Sequence, residues 1–240
     1  MTVKIRLFVD HPLGEAQLVP LDRDQANYLF AVMRLSVGDA ILVFNGKDGE
    51  WQTEIEAGNK KSATLKCIHK TKDLQEPPDV WLLFAPIKKA RTDFIVEKAT
   101  ELGAAAIFPI STDFTNSERI RQDRLQAHAV EATEQCGGTY VPTVHDLQKL
   151  DTVLDQWPHD RHLLYCDEGL VGAATAFSAL PSGKWAILIG PEGGFSDRER
   201  TNVANMQQSF PVSLGPRILR ADTAAVAALS LWQEHLGDWC

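Results

Sequence analysis

Two glycine-proline stretches carry the residue types best suited to chemistry: Ile189-Gly190-Pro191-Glu192-Gly193-Gly194-Phe195-Ser196 and Leu214-Gly215-Pro216-Arg217-Ile218-Leu219-Arg220-Ala221-Asp222-Thr223. The first follows the apolar run Trp185 to Ile189. It either holds a small ligand or simply turns the chain after a strand. A polyphosphate cradle does not fit, because such a site needs free backbone N–H donors and a nearby lysine. Pro191 removes a donor, and Glu192 adds a negative charge where phosphates would repel it. The G-x-G-x-x-G fingerprint of a nicotinamide-dependent Rossmann oxidoreductase is missing, as is a Walker pattern. A nucleoside joined to a cationic sulfonium makes the opposite demands. Backbone groups read its base and hydroxyls, and a nearby carboxylate is tolerated.

The second stretch also lies between a short strand and a helix, so the two can converge on one site. Ile218 and Leu219 are apolar in a segment too short for a core of its own, which suits a pocket wall or a segment threaded beneath another. Asp222 and Thr223 are placed to cap the last helix. Arg220 beside an apolar loop suits an RNA phosphate or a uracil losing its N3 proton, with a surface ion pair as the plain alternative.

The elements that must position these loops form an alternating pattern from residue 80 onward: the strand VWLLFAP, a helix through Phe94, Ile95, Lys98 and Leu102 ending at Gly103, and the strand AAAIFPI. A long helix from about Glu118 to Gln135 follows, then HLLYCDE, WAILIGPEGG, a helix opened by the capping pair Ser196 and Glu199, the strand FPVSL, and a last helix from Asp222 to about His235. This is a parallel-sheet signature, and such sheets bind ligands at the carboxyl edge of their strands. Residues 1–73 read differently. Segments 3–9, 16–21, 39–45, 50–57 and 62–70 are short, alternating and separated by turn residues, which suggests a small barrel or curled sheet. One helix interrupts them, opened by a capping box of Asp22 and Gln25, carried by Ala26, Leu29, Phe30 and Met33, and closed before Gly38. The polar run 74–79 with Pro77-Pro78 is the expected linker, and 80–240 the second domain.

The sequence of 240 residues has 44% hydrophobic residues, enough for a buried core. No segment approaches the roughly 18–20 apolar residues of a membrane span, and the N-terminus lacks a secretory pattern, so a cytoplasmic location is expected. Cys67, Cys136, Cys166 and Cys240 contain no C-x-x-C pair, and His128, His145 and His162 lack metal-ligand spacing, so neither a disulfide framework nor a metal site is expected. A net charge of −8 opposes nucleic-acid binding until its distribution is considered. Residues 1–72 hold ten Lys and Arg against nine Asp and Glu, which leaves all net negative charge in the remainder. RNA contact is therefore easier to place at the N-terminus, where Arg6, Arg34, Lys60, Lys61 and Lys66 are the candidates.

The segments LLFAPIKKARTDFIVEKATELGAAAIFPI, AVEATEQCGGTYVPTV, ILIGPEGGFSDRE and SLGPRILRADTAAVAAL, in that order and spacing, resemble the RsmE family of SPOUT methyltransferases. The likeness covers nearly the whole chain, with RLFVD and Met33-Arg34-Leu35 followed by Gly38-Asp39 resembling that family's PUA-like RNA-binding domain. The resemblance implies an α/β SPOUT domain with a deep trefoil knot beside an N-terminal PUA-like β-barrel. It implies S-adenosylmethionine as methyl donor, no metal, a homodimer, and methylation of N3 of a uridine in 16S ribosomal RNA, as naked RNA or in the assembled small subunit. Carried over, the cofactor-binding residues are Pro86, Ile189, Gly190, Pro191, Glu192, Gly193, Gly194, Leu214, Gly215, Arg217, Ile218, Leu219 and Thr223, and the catalytic ones Arg220 and Asp222. The chain departs from the family pattern at Asp222, where Glu is common, at Gly138, where Arg is common, and at Asn27-Tyr28, which replaces a His-rich pair. A SPOUT ribose 2'-O-methyltransferase and a non-catalytic RNA-binding assembly factor are the alternatives.

Overall fold

Alternating apolar residues near the N-terminus become a five-stranded sheet in the order β1-β3-β4-β5-β2, from β1 (Arg6–Phe8), β2 (Leu18–Leu21), β3 (Ala40–Phe44), β4 (Glu50–Asn59) and β5 (Ser62–Lys72). The computed structural model describes residues 5–116, 119–166 and 177–239. β1 runs parallel to β3, and the other neighbours are antiparallel. Because successive strand side chains point to opposite faces, Leu7, Val19, Ile41, Val43, Ile55 and Leu65 gather in one buried cluster. Asp22 and Gln25 form the reciprocal capping box of α1 (Arg23–Asn27). The helix then widens into a π-helical turn over Tyr28–Val32. It ends before Gly38, because Arg34 adopts a left-handed φ of 58° while the Leu35 N–H donates to the Leu29 carbonyl.

The chain divides into two units: Met1–Glu76 with Thr133–Val141, and Pro77–Ala132 with Pro142–Cys240. Polar bonds explain why the short stretch 133–141 joins the first. The Arg6 guanidinium donates to the Thr133, Glu134 and Gly138 carbonyls at 2.8, 3.0 and 2.7 Å. The Phe8 N–H donates to Glu134 Oε1 at 2.7 Å, and Lys72 Nζ to the Gly137 carbonyl at 3.0 Å. Four of these bonds go to backbone carbonyls at and just beyond the end of α3 (Gln122–Cys136), where helix carbonyls run out of intrahelical partners.

The second unit is built on β6 (Val80–Phe84), β7 (Ala106–Ser111), β8 (Thr143–Val144), β9 (Gln148–Lys149), β10 (Arg161–Cys166), β11 (Lys184–Ile189) and β12 (Ser209–Val212). The sheet order is β12-β10-β11-β6-β7-β8, with β9 pairing β7, and every pair is parallel. Its helices are α2 (Lys89–Glu101), α3 (Gln122–Cys136), α4 (Leu150–Asp155), α5 (Asp197–Ala204) and α6 (Ala221–Leu236), the last turn of α3 grouping with the first unit. Ser196 and Glu199 form the expected capping box of α5. α3 starts at Gln122, and Glu118, where the sequence suggested a start, lies outside the described residues, as do Asp167, Glu168 and Cys240. Leu83, Leu163, Ala186, Leu188 and Phe195 pack in the core, where truncating Leu188 to Ala would cost about 2–5 kcal/mol. Among the described residues no helix is long and apolar enough to cross a membrane.

Candidate active site

Three adjacent strands end together. In the β10–β11 and β10–β12 registers Cys166 lies opposite both Ile189 and Val212, the last residues of their strands. The loops leaving β11 and β12 at this carboxyl edge are the two glycine-proline stretches, and they converge on one cavity of about 200 Å³. Ile189, Gly190, Pro191, Glu192 and Gly194 line it from the first loop, and Leu214, Gly215, Arg217, Ile218, Leu219 and Arg220 from the second. Gly193 stays off the wall, the buried Pro86 does not reach it, and Thr223 points to solvent from the first turn of α6. Cys166, Phe195, Val212, Ser213, Pro216, Ala221 and Ala224 complete the wall. Phe195 and Pro216 stand inside the motifs, and Cys166 closes the apolar run HLLYC, so each carried a signal that motif reading passed over.

The first loop is shaped by packing. A Cβ on Gly190 would stand 2.8 Å from the Phe195 ring, so a side chain there displaces an aromatic core residue. The buried Glu199 carboxylate accepts from the Ser196 N–H at 2.9 Å and from the Asp113 N–H at 2.8 Å. Asp113 in turn accepts from Ser196 Oγ at 2.5 Å and Arg198 at 2.9 Å, and these two bonds hold its carboxyl below the ordinary range. Burial pushes the Cys166 thiol up, so a neutral group faces the cavity from β10.

The second loop is open. Gly215 has a φ of 110°, which a side chain would strain, yet nothing crowds it. Ile218 is 78% exposed although it lines the cavity. Arg217 and Arg220 are exposed and make no ion pair among the described residues. Glu192 is the carboxylate on the wall among those residues.

Asp222 is engaged away from the cavity wall. The N-cap of α6 is Arg220, so Asp222 is inside the first turn and is not the N-cap residue. Its Oδ2 accepts from Arg91 Nη1 at 2.7 Å, its Oδ1 accepts the Thr223 N–H at 2.9 Å, and it is off the cavity wall. Both carboxylate oxygens are therefore engaged by protein donors away from the wall. Arg6 also departs from expectation. Its Nε donates to the buried Glu50 at 2.6 Å, its other nitrogens bind carbonyls of α3 and of Gly138 just beyond it, and it stacks 4.4 Å over the Phe44 ring. Its guanidinium is thus enclosed by protein groups, whereas an RNA contact needs a free cation. Arg34 is exposed, Lys60 and Lys61 form the tip of the β4–β5 hairpin, and Lys66 is half-buried on β5 opposite Glu54. The histidines have structural surroundings: His145 stacks on Phe108 with centroids 3.9 Å apart, His162 packs against Trp185 and Phe210, and His128 lies among Asp93, Glu97 and Glu131.

A parallel α/β sheet with a concave site at its carboxyl edge, in a chain with a separate mixed-sheet unit, defines the class, and comparisons name it. The RNA methyltransferase domain family matches residues 75–233, and the RNA methyltransferase PUA domain family residues 21–67. The ribosomal RNA small subunit methyltransferase E of Rickettsia conorii is 30% identical over 230 residues, covering 94% of this chain and 93% of that protein. A Legionella pneumophila protein solved with the cofactor SAM superposes with a TM-score of 0.89 at 28% identity, covering 99% of this chain and 100% of the other. The Neisseria gonorrhoeae ribosomal RNA small subunit methyltransferase E, solved with S-adenosylmethionine, gives 0.88 at 28% identity, covering 98% and 99%. The chain belongs to the RsmE family of RNA methyltransferases, with a SPOUT α/β unit and an N-terminal PUA-like unit.

Proposed function

We propose that this chain is an S-adenosylmethionine-dependent methyltransferase that acts on N3 of a uridine in 16S ribosomal RNA. The observation that carries the reading is the convergence of both glycine-proline loops, with the ends of three parallel strands, on one cavity. Backbone groups of Ile189 to Gly194 and Leu214 to Leu219 hold the cofactor, and Glu192 accompanies its sulfonium charge. The reaction breaks the sulfonium S–CH3 bond and forms an N3–CH3 bond. S-adenosylhomocysteine leaves, and the N3 proton passes to solvent or to a nearby carboxylate. Arg220, exposed on the cavity wall, stabilises the uracil anion, which is the electrostatic part of the barrier that a fixed cation lowers. Bringing donor and N3 into line supplies roughly 7–11 kcal/mol in favourable cases. The target nucleotide must be unpaired or flipped to reach the cavity.

The N-terminal unit, with its boundary at 73–80, docks RNA through Arg34 and the hairpin lysines Lys60 and Lys61, all exposed. The knotted, homodimeric and cytoplasmic state implied by family resemblance belongs to the same reading. Calorimetry with S-adenosylmethionine tests the cofactor, and absence of binding would leave an RNA-binding assembly factor. Mass spectrometry of nucleosides from methylated RNA distinguishes the products: N3-methyluridine is expected, and a 2'-O-methylated ribose would overturn the assignment.

A further inference from the structure

Helices α2 and α6 lie side by side, and two side-chain contacts fix their register. At their first turns Arg91 Nη1 donates to Asp222 Oδ2 at 2.7 Å. Near their far ends Gln233 Nε2 donates to the Leu102 carbonyl at 2.7 Å. Both contacts join residues 131 apart, so the helices run in the same direction without slippage between the two ties. The tie at the far end is uncharged, whereas the one at the near end is an ion pair beside the cavity.

Arg91 is poorly placed for its own helix. It stands in the first turn of α2, where the positive end of the macrodipole disfavours a cation. No acidic residue shares that turn, and the N-cap Lys88 makes no side-chain capping bond. Asp222 compensates from the neighbouring helix, with its carboxylate near the N-termini of both. The first turn of α6 has its own deficit, since its N-cap Arg220 supplies no side-chain bond. That turn is also cavity wall, through Arg220, Ala221 and Ala224. The open second loop runs directly into it, so the place of Arg220 is set by whatever fixes the start of α6.

We propose that Arg91 is a positioning residue: through Asp222 it fixes the first turn of α6 and so holds Arg220 and the second loop in the geometry that methyl transfer requires. The proposal rests on the methyltransferase reading above and deepens it. It assigns Asp222 to alignment instead of proton transfer, and it adds a residue outside both loops to the machinery of the site. Neither Arg91 nor Asp222 lines the cavity, so their loss falls on turnover more than on cofactor affinity.

The test uses the full chain and the variants Arg91→Met, Asp222→Asn, their combination, Arg91→Lys, and Lys98→Met as a control. Lys98 pairs with Glu101 on the outside of the same helix at 2.6 Å. The readouts are kcat and KM on small-subunit RNA, cofactor Kd by calorimetry, and the melting curve. Misplacement of a catalytic group by about 1 Å lowers turnover on the order of 100-fold, so kcat should fall by about 10- to 100-fold in Arg91→Met and in Asp222→Asn. Cofactor Kd should stay within about threefold, and the double variant should be no worse than the poorer single one, as for two residues acting as one unit. Arg91→Lys should recover most of the rate, and Lys98→Met should match the wild type. If Arg91→Met unfolds, Asp222→Asn and Arg91→Lys, which keep a hydrogen-bonding group, carry the same comparison. An unaltered kcat in Arg91→Met or Asp222→Asn, losses that multiply in the double variant, or a Kd that rises in step with the fall in kcat would overturn the proposal. A wild type that neither binds the cofactor nor methylates RNA removes the functional reading and this proposal together. An active wild type with indifferent variants removes only the proposal.

Discussion

The two glycine-proline loops look alike in sequence and differ in how the fold holds them. Gly190 to Gly194 is a finished surface: Gly190 lies under Phe195, and the helix that follows is tied by Ser196, Glu199 and Asp113. Leu214 to Arg220 is an unfinished one. Gly215 has no crowding neighbour, Ile218 is largely exposed, and Arg217 and Arg220 are unpaired among the described residues. The contrast shows how a cavity can be half rigid and half adaptable. The packed loop can present a fixed backbone to the cofactor, while the open loop offers apolar surface and positive charge that a bound ligand would cover. The arginines divide in the same way. Arg6 is enclosed by Glu50 and helix carbonyls, and Arg34 is exposed.

Arg6→Ala is the largest perturbation of that division. It takes the close cation from the buried Glu50, which keeps Thr71 at 2.8 Å and Lys72 at 3.8 Å, and should lower stability by about 3 kcal/mol in chemical denaturation. Arg34→Ala, by contrast, should stay within about 0.5 kcal/mol while weakening RNA binding. Equal stability losses would abolish the distinction. Next, Gly190→Val should cost about 1–3 kcal/mol by overpacking against Phe195, and the same displacement should weaken cofactor binding by at least about tenfold in calorimetry. An unchanged cofactor affinity would mean that the packed loop does not form the binding surface.

Ile218→Ser should leave the melting temperature of the free protein almost unaltered, since its side chain is already exposed, yet weaken binding of cofactor or RNA. A clear loss of thermal stability would show that the second loop is as packed as the first. The smallest effect is a pH dependence. The Asp113 carboxyl is held below its ordinary value by Ser196 and Arg198, so the folded state binds fewer protons there than the unfolded chain. Its contribution is complete above the ordinary carboxylate range and declines as pH falls from about 4 downward. Melting curves of Asp113→Asn should therefore lose less on acidification than those of the wild type, and parallel acid limbs would remove Asp113 from the brace.

Much of the candidate site was legible because its signals are local. Both capping boxes, at Asp22 with Gln25 and at Ser196 with Glu199, occur where short-range spacing puts them. A strand-to-loop-to-helix pattern fixed where the two loops emerge, and the family resemblance implied the eleven of their residues that line the cavity. Pro86, Gly193 and Thr223 are off the cavity wall, because the side of a loop or helix that faces a cavity depends on its tertiary neighbours. The first-turn position of Asp222 was legible, but its partner Arg91, 131 residues away, was not.

The sequence alone determined the kinds of element, their order, and the chemistry that the two loops exclude, since side-chain periodicity, proline's missing N–H and the placement of charge act over a few residues. Tertiary structure decided which groups are spent on the fold and which are left exposed. It buried Arg6 among the carbonyls of residues 133–138, locked Asp222 to α2, and aligned Cys166, Ile189 and Val212 beneath one cavity. Hydrogen bonds and packing join residues without regard to their separation along the chain, so no local pattern records those choices.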